Sequence, residues 1–143
     1  MIFSLYREVF FEATHRLMHY RGNCSRLHGH QFRVQVWLSG SIDEKTKILV
    51  DFNVIKKIVN RFDHQVILNI EDPLIDCIQQ YHEVVTLSGD PTSELLAKSI
   101  ANDINSLCEQ ENRDVLVQKI RVWESASCYA EYSIPEEITN GTR

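Results

Sequence analysis

A His-Gly-His tripeptide at His28 to His30, a cysteine four residues before it at Cys24 and a third histidine at His15 are the residues here whose types and spacing suit chemistry. Two residues apart on an extended strand, His28 and His30 leave the same face with Cα atoms about 6.6–6.8 Å apart, so both imidazoles can reach one ion. His15 closes an alternating run (Phe3, Leu5, Val9, Phe11, Ala13) broken only at Arg7, which places it on that strand's buried face. Pairing the two strands as a hairpin sets His15 beside the other two. Neutral imidazole nitrogens suit Zn2+, and three protein ligands with a fourth position open mark a catalytic site, whereas structural zinc is usually closed by four ligands rich in Cys. Three neutral ligands leave the ion's double charge uncompensated, which favours Lewis-acid activation of a bound hydroxyl or carbonyl. Taken alone, His-Gly-His is more often an ordinary surface loop. The third histidine on the right face and the nearby cysteine are separate features that such a loop does not require. His19 and His82 show no such convergence and read as ordinary surface or partly buried residues.

Beside a cation a thiol ionises more readily, so Cys24 is a candidate proton-abstracting base or nucleophile. Cys77, Cys108 and Cys128 read instead as small hydrophobes. Asp63 and His64 adjoin, and a carboxylate can hold an imidazole in one tautomer for acid–base work; a polar helix end is the plain alternative, and adjacency does not show that the two touch. Glu124 continues the apolar face of Ile120 and Val122, where a carboxylate needs a partner. Thr92 and Glu94 fit a helix start better than a ligand site. Arg16, Arg21 and Arg26 could meet phosphates, although loop arginines are usually just solvated.

These residues need a scaffold. Phe3 to His15 and His28 to Gly40 alternate as strands joined by a long loop. Asp51 can cap a helix carrying Ile55, Ile58, Val59 and Phe62 at helical spacing, ending near Asp63-His64. A second helix opens at Asp90-Pro91-Thr92 and buries the stripe Leu96, Ile100, Ile104, Leu107. Val84 to Leu87 fits either a strand or an extended connection. Val115 to Glu124 and Cys128 to Tyr132 are two more strands, before a polar tail from about 135 expected to fray. The expected architecture is α+β, a four-stranded antiparallel sheet with two helices on one face, in a single domain over 1–143.

With 143 residues the chain can bury about 68–70% of its unfolded surface without disulfides. Four scattered cysteines with no C-x-x-C pair, and charged Arg7 and Glu8 inside the apolar start, suit a reduced cytoplasmic protein without a signal peptide. A formal net charge of −5 with no basic run argues against a nucleic-acid partner, and no apolar stretch approaches the roughly 20 residues of a membrane span.

Beyond these local signals, F-x-A-x-H at Phe11 to His15, C-x-x-x-H-G-H at Cys24 to His30 and D-H-x-x-L-N at Asp63 to Asn69 form a combined pattern. Val50-Asp51-Phe52, Pro91-Thr92-Ser93-Glu94 and Trp123-Glu124 extend it. The chain resembles the family of 6-pyruvoyl-tetrahydropterin and 6-carboxytetrahydropterin synthases. Three residues, Ser25, Arg26 and Leu27, separate Cys24 from His28, as in the bacterial carboxy-forming type. The resemblance implies the tunnelling fold, in which sheets of several subunits join into a barrel, as a trimer-based homo-oligomer or a hexamer. It implies Zn2+ at His15, His28 and His30, catalysis by Cys24 with Asp63 and His64 of a neighbouring subunit, and Glu124 accepting two hydrogen bonds from a pterin ring. The implied reaction turns 7,8-dihydroneopterin triphosphate into 6-carboxy-5,6,7,8-tetrahydropterin, triphosphate and acetaldehyde, on the route to 7-deazaguanines such as queuosine. The rivals are triphosphate elimination alone, giving the pyruvoyl product, and a non-catalytic pterin- or purine-binding module.

Overall fold

The computed structural model describes residues 1–135; the tail expected to fray lies almost wholly outside them. Strand β1 (Phe3–His15) and strand β2 (His28–Gly40) pair antiparallel over their whole length, from Phe3 opposite Gly40 to His15 opposite His28. Helix α1 (Phe52–Asn60) follows, its first turn capped by the Asp51 carboxylate, which accepts from the Asn53 N–H. Next come β3 (Gln65–Asn69), the one-turn α2 (Ile75–Ile78), β4 (Val84–Leu87) and α3 (Ser93–Gln110), the last capped by Thr92 accepting from Leu95 N–H. Strands β5 (Val115–Ser125) and β6 (Cys128–Ser133) complete a six-stranded sheet of order β4-β3-β1-β2-β5-β6.

The four expected strands are the antiparallel neighbours β1, β2, β5 and β6. The sheet as a whole is mixed, which corrects the four-stranded antiparallel expectation: β3 runs parallel to both β1 and β4. The physical reason lies in Gln65 to Asn69, whose Val-Ile-Leu centre is continuously apolar and buries Ile67 and Leu68 completely. Such a run lacks the alternation of a half-exposed strand and suits a parallel pair covered on both sides. Likewise α2, a third helix among the described residues, is too short to carry a periodic signal.

Helices α1 and α3 cover one face. Phe11, Phe32, Val34, Val36, Ile120 and Val122 from the sheet share one buried cluster with Ile55, Val59, Leu96, Ile100 and Ile104 from the helices. Phe11 stacks on Phe32 at a centroid separation of 4.8 Å and meets Phe62 at 5.5 Å; burying each such ring stabilises the fold by about 1.5–3 kcal/mol. Gly40 ends β2 where a Cβ would stand 2.1 Å from the Asp114 carbonyl oxygen, so the entry to β5 crosses against bare backbone. The β2–β5 ladder carries a bulge: Trp37 faces Lys119 and Leu38 faces Val117, leaving Gln118 unmatched. Before the bulge Val115 and Val117 point to the core; after it Ile120 and Val122 do.

Candidate metal centre

His15 sits on the core face at the end of β1, fully buried, and its partner across the ladder is His28 at the start of β2. His30, two residues along β2, leaves the same face. The three rings crowd together, with centroids 4.7 Å (His15–His28), 4.9 Å (His28–His30) and 5.2 Å (His15–His30) apart. Two are held in one tautomer. His15 Nδ1 lies 2.8 Å from the Pro91 carbonyl and His28 Nδ1 lies 2.7 Å from the Arg26 carbonyl. A carbonyl only accepts, so each Nδ1 carries a proton and the neutral ring presents a bare Nε2 to the centre.

The same centre receives Glu124, near the end of β5. Glu124 is the residue left unmatched where the β5–β6 ladder shifts between Trp123 and Ser125, and bulges re-aim side chains. Its Oε1 lies 3.2 Å from Nε2 of both His15 and His30. The ligand atoms of His15, His28, His30 and Glu124 all fall within 4.8 Å of one another. Yet Nε2 of His15 and of His30 are buried without a hydrogen bond. Buried, unpartnered imidazole nitrogens turned toward a carboxylate are a donor set that fits a divalent cation. Burial, chiefly, pushes the His30 pKa down, favouring the neutral, metal-binding form; the neighbouring His15 and His28 act the same way against Glu124.

Cys24 stands outside this group. It sits in a 3-10 turn, Asn23–Ser25, with a partly buried free thiol. Leu17 N–H donates to its carbonyl at 2.8 Å. The loop around it is clamped by two carboxylates. Arg16 donates through Nε (2.6 Å) and Nη2 to the buried Asp72, and Asp90 accepts from His19 N–H (2.9 Å) and Asn69 Nδ2 (3.0 Å). Arg16 therefore faces Asp72 instead of standing free for a phosphate.

Asp63 and His64 do touch: Asp63 Oδ2 lies 3.0 Å from His64 Nδ1, while Oδ1 accepts from Glu12 N–H at 2.9 Å. His64 adopts φ +56°, uncommon for a residue with a Cβ, and its N–H donates to the Glu12 carbonyl at 2.6 Å. That turn lets two adjacent side chains meet. The hydrogen bond to Asp63, then its charge, raises the His64 pKa, and the Glu12 N–H, before His64, lowers that of Asp63. His64 opens on a cavity of about 580 Å³ shared with Glu12, Thr14 and His30. Glu124 instead borders one of about 350 Å³ with Thr92, Glu94, Tyr20 and Tyr129. Contact between Glu124 and the imidazoles was not legible from sequence, because it depends on which strand pairs with β2; the one signal was a carboxylate on an apolar face.

The 6-pyruvoyl tetrahydropterin synthase family model matches residues 4–135. A Halobacterium salinarum protein named probable 6-carboxy-5,6,7,8-tetrahydropterin synthase is 33% identical over 93 residues, spanning 63% of this chain and 61% of its own length. A Rickettsia conorii protein named 6-carboxy-5,6,7,8-tetrahydropterin synthase is 26% identical over 136 residues, 87% of this chain and 96% of that one. Among solved structures, an uncharacterised Wolinella succinogenes protein superposes with a TM-score of 0.74 at 20% identity, covering 93% and 98% of the two chains. Caenorhabditis elegans 6-pyruvoyl tetrahydropterin synthase superposes with a TM-score of 0.63 at 20% identity, covering 94% and 97%. At that identity the likeness is one of fold.

Proposed function

The chain belongs to the 6-pyruvoyl tetrahydropterin synthase family, and from that premise we propose that it converts 7,8-dihydroneopterin triphosphate, with one water taken up, into 6-carboxy-5,6,7,8-tetrahydropterin, triphosphate and acetaldehyde. The observation that carries this reading is the convergence of His15, His28 and His30, two of them with Nε2 bared by a carbonyl on the opposite nitrogen. These three residues would hold Zn2+, which when bound supplies Lewis-acid polarisation of the substrate's side-chain hydroxyls. Cys24 removes a side-chain proton. His64, oriented by Asp63, holds and returns protons on the opposite side of the reacting carbons. Glu124 accepts the paired N–H donors of the ring, in a cavity whose rim also carries Thr92 and Glu94. The three-residue spacing between Cys24 and His28, and relatives named for the carboxy product, favour that outcome over pyruvoyl formation.

Cys24 does not reach the Asp63–His64 pair through any hydrogen bond among the described residues, so a complete site calls for a second copy whose pair meets the first copy's Cys24. A homo-oligomer built on trimers, its sheets closed into a barrel, would supply that, and the free edges β4 and β6 give each sheet somewhere to continue. Each chain would be one catalytic domain, with its thiols kept reduced in the cytoplasm. No helix among the described residues is long and apolar enough to cross a membrane. Incubating the purified protein with zinc and dihydroneopterin triphosphate should release acetaldehyde and triphosphate in equal amounts. Pyruvoyl product without acetaldehyde would replace this reading with the elimination alone; tight pterin binding without turnover at any pH would make the chain a binding module.

A further inference from the structure

The His15–Glu124 contact is peculiar as it stands. His15 Nδ1 spends its proton on the Pro91 carbonyl, so the neutral ring turns a lone pair, not an N–H, toward a carboxylate oxygen 3.2 Å away. Two acceptors at that distance repel unless a cation lies between them. The same Oε1 is 3.2 Å from His30 Nε2, and neither nitrogen has a hydrogen-bond partner. Two atoms bound at 2.0–2.2 Å to one tetrahedral ion stand roughly 3.3 Å apart, which is the separation found at both nitrogens. Glu124 is also brought here by an unmatched position in the β5–β6 ladder, so its aim is a backbone feature, not a loose rotamer.

We propose that Glu124 is the fourth ligand of the ion when no pterin is bound, and that ring binding takes this carboxylate away from the ion. The second half rests on the pterin reading given above. Pairing with two ring N–H donors engages both carboxylate oxygens, including the Oε1 that faces the imidazoles, so ring and ion compete for Glu124. Without substrate the site is closed by four ligands and its charge partly neutralised. Entry of the ring opens a position for the substrate's own hydroxyls. Recognition of the ring and exposure of the Lewis acid thereby become one event, and a small anion or thiol lacking the ring meets a filled site.

Cobalt in place of zinc makes this visible, because its ligand-field absorption follows coordination. Metal affinity by chelator competition, and the cobalt spectrum, are measured without pterin for the wild type and for Glu124→Gln, Glu124→Ala and Glu124→Asp, with circular dichroism confirming the fold. Loss of an outer-shell partner of a metal ligand costs 10–100-fold in affinity. Removal of a directly bound carboxylate should cost at least about tenfold, alter the spectrum in Glu124→Gln and Glu124→Ala, and be partly restored in Glu124→Asp. Saturating 7,8-dihydroneopterin, which lacks the triphosphate, should change the wild-type spectrum toward that of Glu124→Gln. Unchanged affinity and spectrum in both Gln and Ala variants overturn the fourth-ligand assignment even if the wild type forms product. An unchanged wild-type spectrum with the ring bound overturns the exchange. Weakened metal binding in the variants of a protein that never turns over would instead leave the ligand assignment standing and remove the proposed reaction.

Discussion

Replacing Arg16 by Ala strands Asp72, a carboxylate with a side chain 0% exposed that otherwise receives a two-pronged hydrogen bond from the guanidinium. Taking one partner from a buried ion pair costs about 3–5 kcal/mol. Asp72 keeps the Leu74 N–H at 2.8 Å, which places the expected cost near 3 kcal/mol. For a chain of this length that corresponds to a loss of roughly 10 °C in Tm. Asp72→Asn, which leaves the guanidinium without its paired carboxylate, should cost less, because Arg16 keeps the charge of nearby Asp90 and remains partly in contact with water. The double variant should be far less destabilised than the two losses summed, giving a coupling of about 2 kcal/mol in a urea-unfolding cycle. The sign with pH follows from Arg16, first, holding the Asp72 carboxyl below its usual range. A lowered folded pKa adds stability that is present above the unfolded value near 4 and fades as pH falls through the folded one. The gap between wild type and Arg16→Ala should be flat from pH 6 to 8 and shrink below about pH 4. Because Arg16 adjoins Leu17, whose N–H holds the Cys24 carbonyl, Cys24 alkylation should also quicken in Arg16→Ala. Additive single losses, within about 0.5 kcal/mol, would refute the pairing as the source of the effect.

Asp63→Asn should move the His64 NMR titration midpoint down, since Asp63 is the chief cause of its raised pKa; a stationary midpoint would show that the 3.0 Å contact does not operate in solution. The same variant should shift any loss of turnover that follows His64 deprotonation to lower pH. Gly40→Ala drives a Cβ into the Asp114 carbonyl oxygen and, at 2.8 Å, the Val115 Cα, so urea unfolding should register about 3 kcal/mol of overpacking, and a loss under 1 kcal/mol would deny the close crossing. Zinc at 100 times its dissociation constant should stabilise the fold by about 2.7 kcal/mol, reversed by chelator and absent in His28→Ala; a chelator-insensitive Tm would count against an ion at these residues.

What the sequence made legible was local. Alternation located β1 and β2 and put His15, His28 and His30 on inner faces, and the caps at Asp51 and Thr92 located α1 and α3. Periodicity could not reveal β3, because a run apolar on consecutive residues looks the same in a strand as in a helix turn. Nor could it show the contact between Asp63 and His64, which needs the left-handed backbone at His64. Glu124 was visible as a carboxylate out of place, but its neighbours come from strands some 95 and 110 residues earlier, and long-range pairing leaves no mark in a window of ten residues.

Gln118, the spare residue of the β2–β5 ladder, sets the phase of everything downstream. A strand is an object of period two, so one inserted residue exchanges inside for outside. The bulge absorbs that exchange, because Gln118 and Lys119 both face away from the core, and Ile120, Val122 and Glu124 therefore take up the inward side that Val115 and Val117 hold before it. Loss of Gln118 alone would therefore leave an unbroken ladder with Glu124 still inward. A single insertion between Ile120 and Glu124, distant in sequence from every imidazole, would instead turn the carboxylate to the sheet's far side and disconnect it from the three rings.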